Sequence, residues 1–297
     1  MGFFDKLFGR KKAPETSTRF GMEELSRRLG IDANLLTALR PQYTPFNIPK
    51  RSGGIRQIFA PGDELKKLQR LILRRILARL RAHDASHGFE KGRSIVTNAR
   101  PHVGREIVLR LDLKEFFTST SAARVEQYFR TIGWDQTCAA LLTTLCTHDG
   151  GLPQGAPTSP RLSNLLNMHL DARLQKLAEV HHARYTRYAD DLTFSFDANA
   201  ADPTRRLANT LIHFVKRILE QEGYQLHLHA KLKIQRRHDR QRVTGLVVNQ
   251  KVQLPRATRR WLRAVEHHHK SGKPSTLTRQ QLQGWRSLAA MIEKQRA

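Results

Sequence analysis

Cysteine is nearly absent from the 297-residue sequence, which contains two, Cys138 and Cys146. Two cysteines exclude a disulfide scaffold and a cysteine-rich zinc site. No apolar run approaches the roughly 18 residues that a membrane-spanning helix requires, and the N-terminus lacks the apolar core of a secretory signal. The sequence therefore predicts a cytoplasmic protein without a membrane-spanning segment.

Acidic residues are scarce as well. The 26 Asp and Glu stand against 52 Lys and Arg, so the formal net charge is +26. Hydrophobic residues make up 39% of the chain, which is low for a globular protein but too high for a disordered one. A folded chain with this charge favours a polyanionic partner. Nucleic acids and anionic membrane surfaces both qualify, and composition alone does not separate them.

Hydrophobic periodicity predicts a mixed order of helices and strands, followed by a helical C-terminal part. The strongest helix covers residues 63–82 and has one apolar and one purely basic face, with Asp63 as its cap. Gly53 and Gly54 predict the turn of a β-hairpin over 41–61. The other predicted helices lie at 21–31, 121–131, 135–147, 158–181, 203–222, 256–270 and 279–295, and the other strands at 105–117, 183–196, 224–234 and 242–249.

Three carboxylates stand in apolar, strand-like surroundings. Asp112 interrupts IVLRLDL, and Asp190 and Asp191 are adjacent in YADDLTFSF. Buried carboxylates that converge repel one another unless cations neutralise them. Hard divalent cations bind such oxygen ligands, and two of them about 4 Å apart can activate a hydroxyl and stabilise a pyrophosphate leaving group. Each Asp taken singly is explained by a strand end or a turn. Together with the basic charge and the Gly-rich loop GGLPQGAPTSP, they favour nucleotidyl transfer.

The motifs around these carboxylates resemble those of the reverse transcriptases. LRLDLKEFF resembles the first catalytic motif of that family, and YADD its catalytic hairpin. GLPQGAPTSPRLSN resembles the loop that positions primer and nucleotide, and AKLKI the motif that supplies a lysine near the triphosphate. Order and spacing fit across roughly residues 45–250. The resemblance implies an α+β right-hand polymerase fold that uses two Mg²⁺ ions.

Within that superfamily the sequence is most similar to the bacterial retron reverse transcriptases. The run from Asn98 to His102 matches their NAxxH motif, and Val243-Thr244-Gly245 matches their VTG motif. The resemblance implies an N-terminal tail, fingers, a palm that shares some finger segments near 132–157, and a thumb. The predicted bounds of these parts are 1–20, 21–106, 107–249 and 250–297.

The resemblance also implies the catalytic roles. Asp112, Asp190 and Asp191 match the metal-binding triad, and the backbone carbonyl of Leu113 would be an auxiliary ligand. Phe117 matches the steric gate that excludes a 2′-OH. Neighbouring residues of a strand point to opposite faces, so one of Phe116 and Phe117 can be core while the other is the gate.

A nucleotide pocket is implied by the same likeness. Gln154 would bond the sugar, and Gly155 would let the backbone approach closely. Lys50 and Arg56, which flank the turn of the hairpin, match the fingertip residues that grip the triphosphate. Arg51 is a rival for Lys50, because the register of a hairpin is not determined by sequence.

The palm lysine of the family, which can protonate the leaving pyrophosphate, corresponds to Lys231. The sequence departs from the family pattern here, since Leu228 stands in place of the usual Asn and Leu232 in place of the usual Thr. Lys233 is therefore a competing assignment.

Contacts to RNA are predicted at two places. Asn98 and His102 belong to the retron-like NAxxH motif, and His102 can bond RNA, although a lone His is more often structural. Four arginines lie on one predicted helix of the thumb, whose Trp261 and Leu262 are expected to face the palm. These are Arg256, Arg259, Arg260 and Arg263.

The function implied is RNA-directed DNA polymerisation of the retron type. The enzyme would copy a cognate structured non-coding RNA with dNTPs, starting from a 2′-OH of that RNA, into branched RNA-linked DNA (msDNA). It would act in anti-phage defence with an effector protein encoded nearby, and no membrane partner is expected. Two alternatives remain open: another prokaryotic reverse transcriptase, group II intron-like or defence-associated, and a non-catalytic RNA-binding protein with a polymerase fold.

Overall fold

The computed structural model describes residues 19–50, 53–197, 204–227 and 232–295 and contains helices and strands in mixed order. The helices are α1 (Met22–Leu29), α2 (Ala33–Ala38), α3 (Asp63–Ile72), α4 (Ile95–Ala99), α5 (Ala122–Thr131), α6 (Gln136–Cys146), α7 (Ser159–Leu166), α8 (Met168–Val180), α9 (Thr204–Gln221), α10 (Arg256–Lys270) and α11 (Arg279–Gln295). The strands are β1 (Tyr43–Pro49), β2 (Ile55–Pro61), β3 (Ile107–Asp112), β4 (Arg184–Tyr188), β5 (Asp191–Phe196), β6 (Lys233–Arg236), β7 (Arg242–Val243) and β8 (Leu246–Val247). Across the described ranges, every helix is too short or too polar to span a bilayer.

Internal contacts divide the chain into two compact units. The first unit consists of the chain up to Arg79 together with Thr120–Leu162. The second consists of Leu80–Ser119 and the chain from Ser163 onward. The chain therefore passes between the units three times. The predicted bounds of fingers, palm and thumb are not tested by this division and stay predictions.

The predicted hairpin of the first unit is confirmed. Strands β1 and β2 pair antiparallel from Tyr43 opposite Pro61 to Pro49 opposite Ile55. Gly53 and Gly54 have φ of 86° and 83°, a conformation that glycine adopts without steric cost. The two glycines at the turn were therefore sufficient to predict the β1–β2 hairpin.

The helix predicted over 63–82 is shorter in the structure. It is α-helical to Ile72 and then makes a π-helical turn over Leu73–Leu77. Because a π turn brings residues about five apart onto one side, Ile72 and Leu77 are both fully buried. Asp63 is the first helical residue and makes no cap, since the N-cap position is occupied by Gly62.

A single helix was predicted over 158–181, whereas the structure breaks it at Asn167, between α7 and α8. The side-chain amide of Asn167 donates to the Ser163 carbonyl at 2.9 Å and to the Tyr224 hydroxyl at 3.0 Å. The second of these partners is 57 residues away, so the break depends on a tertiary contact.

The sheet of the second unit has the antiparallel strand order β4-β5-β3-β6. Ile107, Leu109 and Leu111 of β3 face a buried cluster that includes Leu174 of α8 and Leu211 of α9. Alternation along the strand places Val108, Arg110 and Asp112 on the opposite face. Helices α8 and α9 therefore cover one face. On the other face, Val108 packs in a second buried cluster with Val96 and Ala99 of α4, and Arg110 and Asp112 follow it along the strand.

The stretch 242–249 was predicted as one strand, but it is a tight hairpin of β7 and β8. Thr244 and Gly245 have φ of 46° and 83°, so both turn residues are left-handed, as a type I′ turn requires. The strand predicted over 224–234 is also different: β6 covers Lys233–Arg236, and residues 228–231 lie outside the described part of the chain.

Candidate active site

Two of the three predicted catalytic carboxylates are cross-strand neighbours. Asp112 ends β3, Asp191 begins β5, and the antiparallel register sets them directly opposite each other. Side chains in this position have Cβ atoms about 5 Å apart. The backbone N–H of Leu113 donates to the carbonyl of Asp190 at 3.0 Å. The fold therefore brings all three residues to one end of the sheet, where the Asp112 residue is only 6% exposed.

The turn that carries Asp190 rests on a fully buried ion pair. Arg187 donates to the two carboxylate oxygens of Asp171 at 2.7 and 2.6 Å, and both side chains are inaccessible to solvent. Its third nitrogen, Nη1, donates to the Asn164 side-chain oxygen and to the Ala189 carbonyl. Ala189 has φ of 55°. The guanidinium thus holds the strained backbone immediately before Asp190.

Charge and burial act together in this network. Burial alone would lower the pKa of Arg187, but the adjacent Asp171 carboxylate raises it above its usual value. Burial raises the pKa of Tyr185 well above its usual value, and Asp171, which accepts its hydroxyl hydrogen bond at 2.8 Å, adds to that shift. Asp171 and Arg187 were missed by the sequence analysis. Their local signal is weak: Asp171 is a charged residue at a core position of an amphipathic helix, and Arg187 is one at a core position of a strand.

Arg110 binds Asp191 within the same polar face. Its terminal nitrogen lies 3.1 Å from each carboxylate oxygen of Asp191, and the side chains are 21% and 29% exposed. Lys233 of β6 is the register partner of Arg110 across the other edge of β3. Direct cross-strand partners share a face, so Lys233 lies on the face of the sheet that carries Asp112. Lys231 lies outside the described residues.

His227 contacts Asp112 and was also missed. Its backbone N–H donates to the Asp112 carbonyl at 2.9 Å, and its Nε2 lies 3.9 Å from Asp112 Oδ1. The alternation of His and Leu in YQLHLH is the signal that could have placed His227 on the face of Asp112.

The donor set fits a hard divalent cation in its chemistry, since carboxylate and carbonyl oxygens are the ligands that Mg²⁺ prefers. Among the described residues, however, no three His, Cys, Asp or Glu side chains are already grouped closely enough to hold a metal ion. The Asp191 carboxylate is engaged in its ion pair with Arg110. Asp112, Asp190 and Asp191, with the Leu113 carbonyl, stay the predicted metal ligands.

The expectation that Phe116 and Phe117 alternate along a strand is wrong. β3 ends at Asp112, and residues 114–119 form turns in which Glu115 has φ of 49°. The two rings are nevertheless in different environments. Phe116 is 4% exposed and stacks on Tyr224, whereas Phe117 is half-buried with its ring 5.3 Å from that of Phe116. Phe116 is therefore the core residue, and Phe117 as steric gate stays a prediction.

Four predicted nucleotide-binding residues belong to the first unit. Lys50 and Arg56 are exposed on the β1–β2 hairpin, and Arg51 lies outside the described residues. The carbonyl of half-buried Gln154 accepts a hydrogen bond from the backbone of Phe59 at 2.9 Å. A Cβ at Gly155, where φ is 131°, would lie 2.7 Å from the Phe59 carbonyl oxygen. Gly155 is thus required for the loop to pack on β2, and its contact with a nucleotide stays a prediction.

Direct RNA contact by Asn98 and His102 is contradicted by their burial, since both are 0% exposed. His102 bonds the hydroxyls of Ser195 at 2.7 Å and Thr186 at 2.8 Å. The Thr244 hydroxyl donates to the carbonyl of Ile95 at 2.9 Å. Ala99 of the NAxxH motif and Val243 of the VTG motif belong to one buried cluster, so both motifs are structural elements of the second unit.

Burial of His102 predicts a pH-dependent stability. Burial lowers its pKa to about 3, whereas an unfolded His titrates near 6.5. Between these values the unfolded chain binds the additional proton, so the free energy of unfolding falls as pH falls, by roughly 1 kcal/mol per pH unit. Chemical denaturation of His102→Gln between about pH 4 and 6 should show a slope that is shallower by about one proton. Parallel curves for the two proteins would contradict this contribution.

The four predicted thumb arginines, Arg256, Arg259, Arg260 and Arg263, are all exposed on α10. Val265 is the buried residue of α10, and Leu262 packs against a buried cluster that includes Val252, Leu254 and Ile292. Trp261 was expected to face the palm, but it is 37% exposed with its ring edge against Trp285. Along α10, no acidic residue stands before Glu266, so the four arginines have no acidic neighbour between them.

The sequence is similar to those of several known proteins. Residues 48–249 match the family model described as "Reverse transcriptase (RNA-dependent DNA polymerase)". Three curated relatives are each 38% identical to the chain: the Retron Mx65 and Retron Mx162 reverse transcriptases of Myxococcus xanthus and the Retron Ec86 reverse transcriptase of Escherichia coli. The alignments cover 93%, 85% and 80% of this chain and 69%, 59% and 72% of the respective relatives. Among solved structures, apo telomerase from Candida tropicalis aligns with a TM-score of 0.48 at 12% identity, over 72% of this chain and 55% of that one.

Proposed function

This chain belongs to the reverse transcriptase family, as a retron-type RNA-directed DNA polymerase, and on that premise we propose that it copies a cognate non-coding RNA into msDNA. Synthesis starts from a 2′-OH of that RNA and leaves the DNA joined to it as a branch. The observation that carries the proposal is the cross-strand pair of Asp112 and Asp191, with Asp190 in the adjoining turn. A binding protein without catalysis has no use for three carboxylates beside a phosphate backbone.

Asp112 and Asp190, with the Leu113 carbonyl, would hold two Mg²⁺ ions. When bound, such ions lower the pKa of the attacking hydroxyl and neutralise charge on the pyrophosphate. Asp191, paired with Arg110, orients the end of β5 beside the primer. Lys233 shares the polar face with Asp112, which supports it as the lysine that donates a proton to the pyrophosphate; Lys231 remains the competing assignment.

Nucleotide selection is assigned to four residues. Lys50 and Arg56 would bind the triphosphate, and Gln154 the sugar. Phe117 would exclude a 2′-OH by contact with its ring. Each assignment is supported by the motif in which the residue stands and by its exposure or partial exposure in the structure.

Substituting Phe117 by Val should increase ribonucleotide incorporation relative to deoxynucleotide incorporation by at least tenfold, because a smaller side chain leaves room for the 2′-OH. The measurement is kcat/KM for a ribonucleotide and its deoxynucleotide in single-nucleotide extension. Phe116→Val is the matched control. A change at Phe116 with none at Phe117 would show that the two rings are reversed.

The cognate RNA is proposed to bind the arginines of α10, because exposed guanidinium groups on one helix face suit the phosphates of an RNA stem. We place the enzyme in the cytoplasm with its RNA and dNTPs, in an anti-phage system with a nearby effector protein. This part of the proposal is supported by the resemblance to retron enzymes.

Reversing two of these charges, in Arg260→Glu/Arg263→Glu, should weaken binding of the cognate RNA at least tenfold and flatten its salt dependence. Extension of a generic primer–template should be affected less. Arg184→Glu/Arg217→Glu, which reverses two exposed arginines elsewhere in the second unit, is the matched control for net charge. Equal losses on both substrates would make α10 a general duplex clamp.

The proposed function is tested by sequencing the nucleic acid that co-purifies with the protein. We expect DNA joined at its 5′ end to an RNA 2′ position, present with the wild type and absent with Asp112→Asn. Unbranched DNA primed at a 3′-OH would favour another kind of prokaryotic reverse transcriptase. RNA alone with both proteins, together with no primer extension in Mg²⁺, would favour the non-catalytic alternative.

A further inference from the structure

Phe89 combines an exposed aromatic side chain with an uncommon backbone. The residue is 49% exposed, and its φ is 62°. The left-handed region is unfavourable for a bulky residue and persists only where the surroundings impose it. The neighbouring Gly88, which would tolerate that conformation, does not have a positive φ. The fold therefore maintains a strained residue whose ring is half in solvent.

The loop around Phe89 is held against the catalytic turn. A Cβ at Gly88 would lie 2.8 Å from the backbone nitrogen of Ala189, so only glycine permits this approach. The Asn164 side chain donates to the Gly88 carbonyl at 2.7 Å and to Glu90 at 2.8 Å. With the loop anchored on both sides of Phe89, its backbone has no room to relax.

The ring of Phe89 connects two functional segments. Its centroid lies 6.3 Å from that of Phe117 and 6.4 Å from that of Tyr188, within the range of interacting aromatic pairs. Phe117 is the predicted steric gate, and Tyr188 is the residue before the turn of Asp190. Phe117 contacts Phe116 as well, so two aromatic neighbours restrict its ring.

We propose that Phe89 is a positioning residue for nucleotide selection, whose ring holds Phe117 in place against the sugar of the incoming nucleotide. A steric gate discriminates only while its side chain cannot turn away from the 2′-OH, and a half-buried Phe has more than one staggered rotamer. This inference rests on the proposed role of Phe117. It adds to that role the residue that fixes the gate.

The test is Phe89→Gly, which removes the ring and suits the left-handed backbone, so folding is not put at risk. We expect the ratio of ribonucleotide to deoxynucleotide kcat/KM to rise about tenfold, with a melting temperature no lower than that of the wild type. Phe89→Tyr, which keeps the ring, should retain the wild-type ratio. His182→Gly is the matched control, because exposed His182 also has a left-handed φ, 51°, in the turn before β4.

A double variant separates action through Phe117 from independent action. Phe89→Gly/Phe117→Val should have the ratio of Phe117→Val alone. If the effects of the two substitutions on this ratio add in the double variant, the inference is overturned and the role of Phe117 stands. The same conclusion follows if Phe117→Val raises the ratio and Phe89→Gly leaves it unchanged. An unchanged ratio in Phe117→Val would overturn the gate and this inference with it, while extension of deoxynucleotides still tests the polymerase activity separately.

Discussion

Replacing Asp112 by Asn is expected to reduce DNA synthesis at least a thousandfold, equivalent to about 4 kcal/mol of activation free energy. The amide keeps the shape of the side chain but lacks the charge that a divalent cation requires of its ligand. Asp190→Asn should have an effect of the same order. The measurement is primer extension with Mg²⁺ at saturating dNTP.

Folding and RNA binding should both survive the Asp112→Asn substitution. Asp112 lies beside Asp191 in the register of the sheet, so removing one negative charge relieves repulsion and should not lower the melting temperature. Asp197→Asn, at an exposed carboxylate that pairs with Arg105, is the control for the substitution itself. Activity of Asp112→Asn within tenfold of the wild type would refute the catalytic assignment.

Replacing Arg187 by Met should destabilise the protein by about 3–5 kcal/mol, because it leaves the buried Asp171 carboxylate without its cation. The structural basis is that both side chains are 0% exposed and joined by two hydrogen bonds. Polymerase activity should fall by more than the loss of folded protein accounts for, because the carbonyl of Ala189, the residue before Asp190, loses its hydrogen-bond donor. Urea denaturation and primer extension measure the two effects.

A second variant separates stability from positioning. Arg187→Met/Asp171→Leu/Tyr185→Phe replaces the ion pair, and the hydroxyl that donates to Asp171, with apolar side chains, an exchange that is often neutral for stability. We expect it to recover most of the free energy of unfolding but little of the polymerase activity, because the hydrogen bonds to Ala189 and Asn164 are still missing. Recovery of both would mean that Arg187 contributes to stability alone.

Much of the fold followed from local patterns in the sequence. The Gly53-Gly54 turn, the two strands that meet at Asp190 and Asp191, and the helices α10 and α11 lie where periodicity and turn residues predicted them. The strand predicted over 105–117 is shorter, because β3 ends at Asp112. These signals depend on neighbours within a few residues, which is the range over which backbone preferences and amphipathic spacing act. The α+β right-hand polymerase fold was predicted on the same residues, through the motifs that they form.

The nucleotide site was predictable only by resemblance. The residue types at Phe117, Gln154 and Arg56 are common in loops and hairpins, and their roles come from the order of the motifs. The structure shows that Phe116 and Phe117 lie in a turn, where strand alternation does not apply. It also shows that Gly155 packs against β2. The sequence shows which residues could bind a nucleotide, but it does not show the tertiary contact for which each residue is needed.

By itself, the sequence determined the element order, the basic surface and the three carboxylates, because charge and hydrophobic spacing are properties of the chain. Only the tertiary structure decided that His102 and Asn98 are buried, that Arg187 pairs with Asp171, and that Lys233 shares a face with Asp112. Each of these depends on segments far apart along the chain. Burial and pairing are set by which distant segments meet and in which register, and no local pattern encodes that.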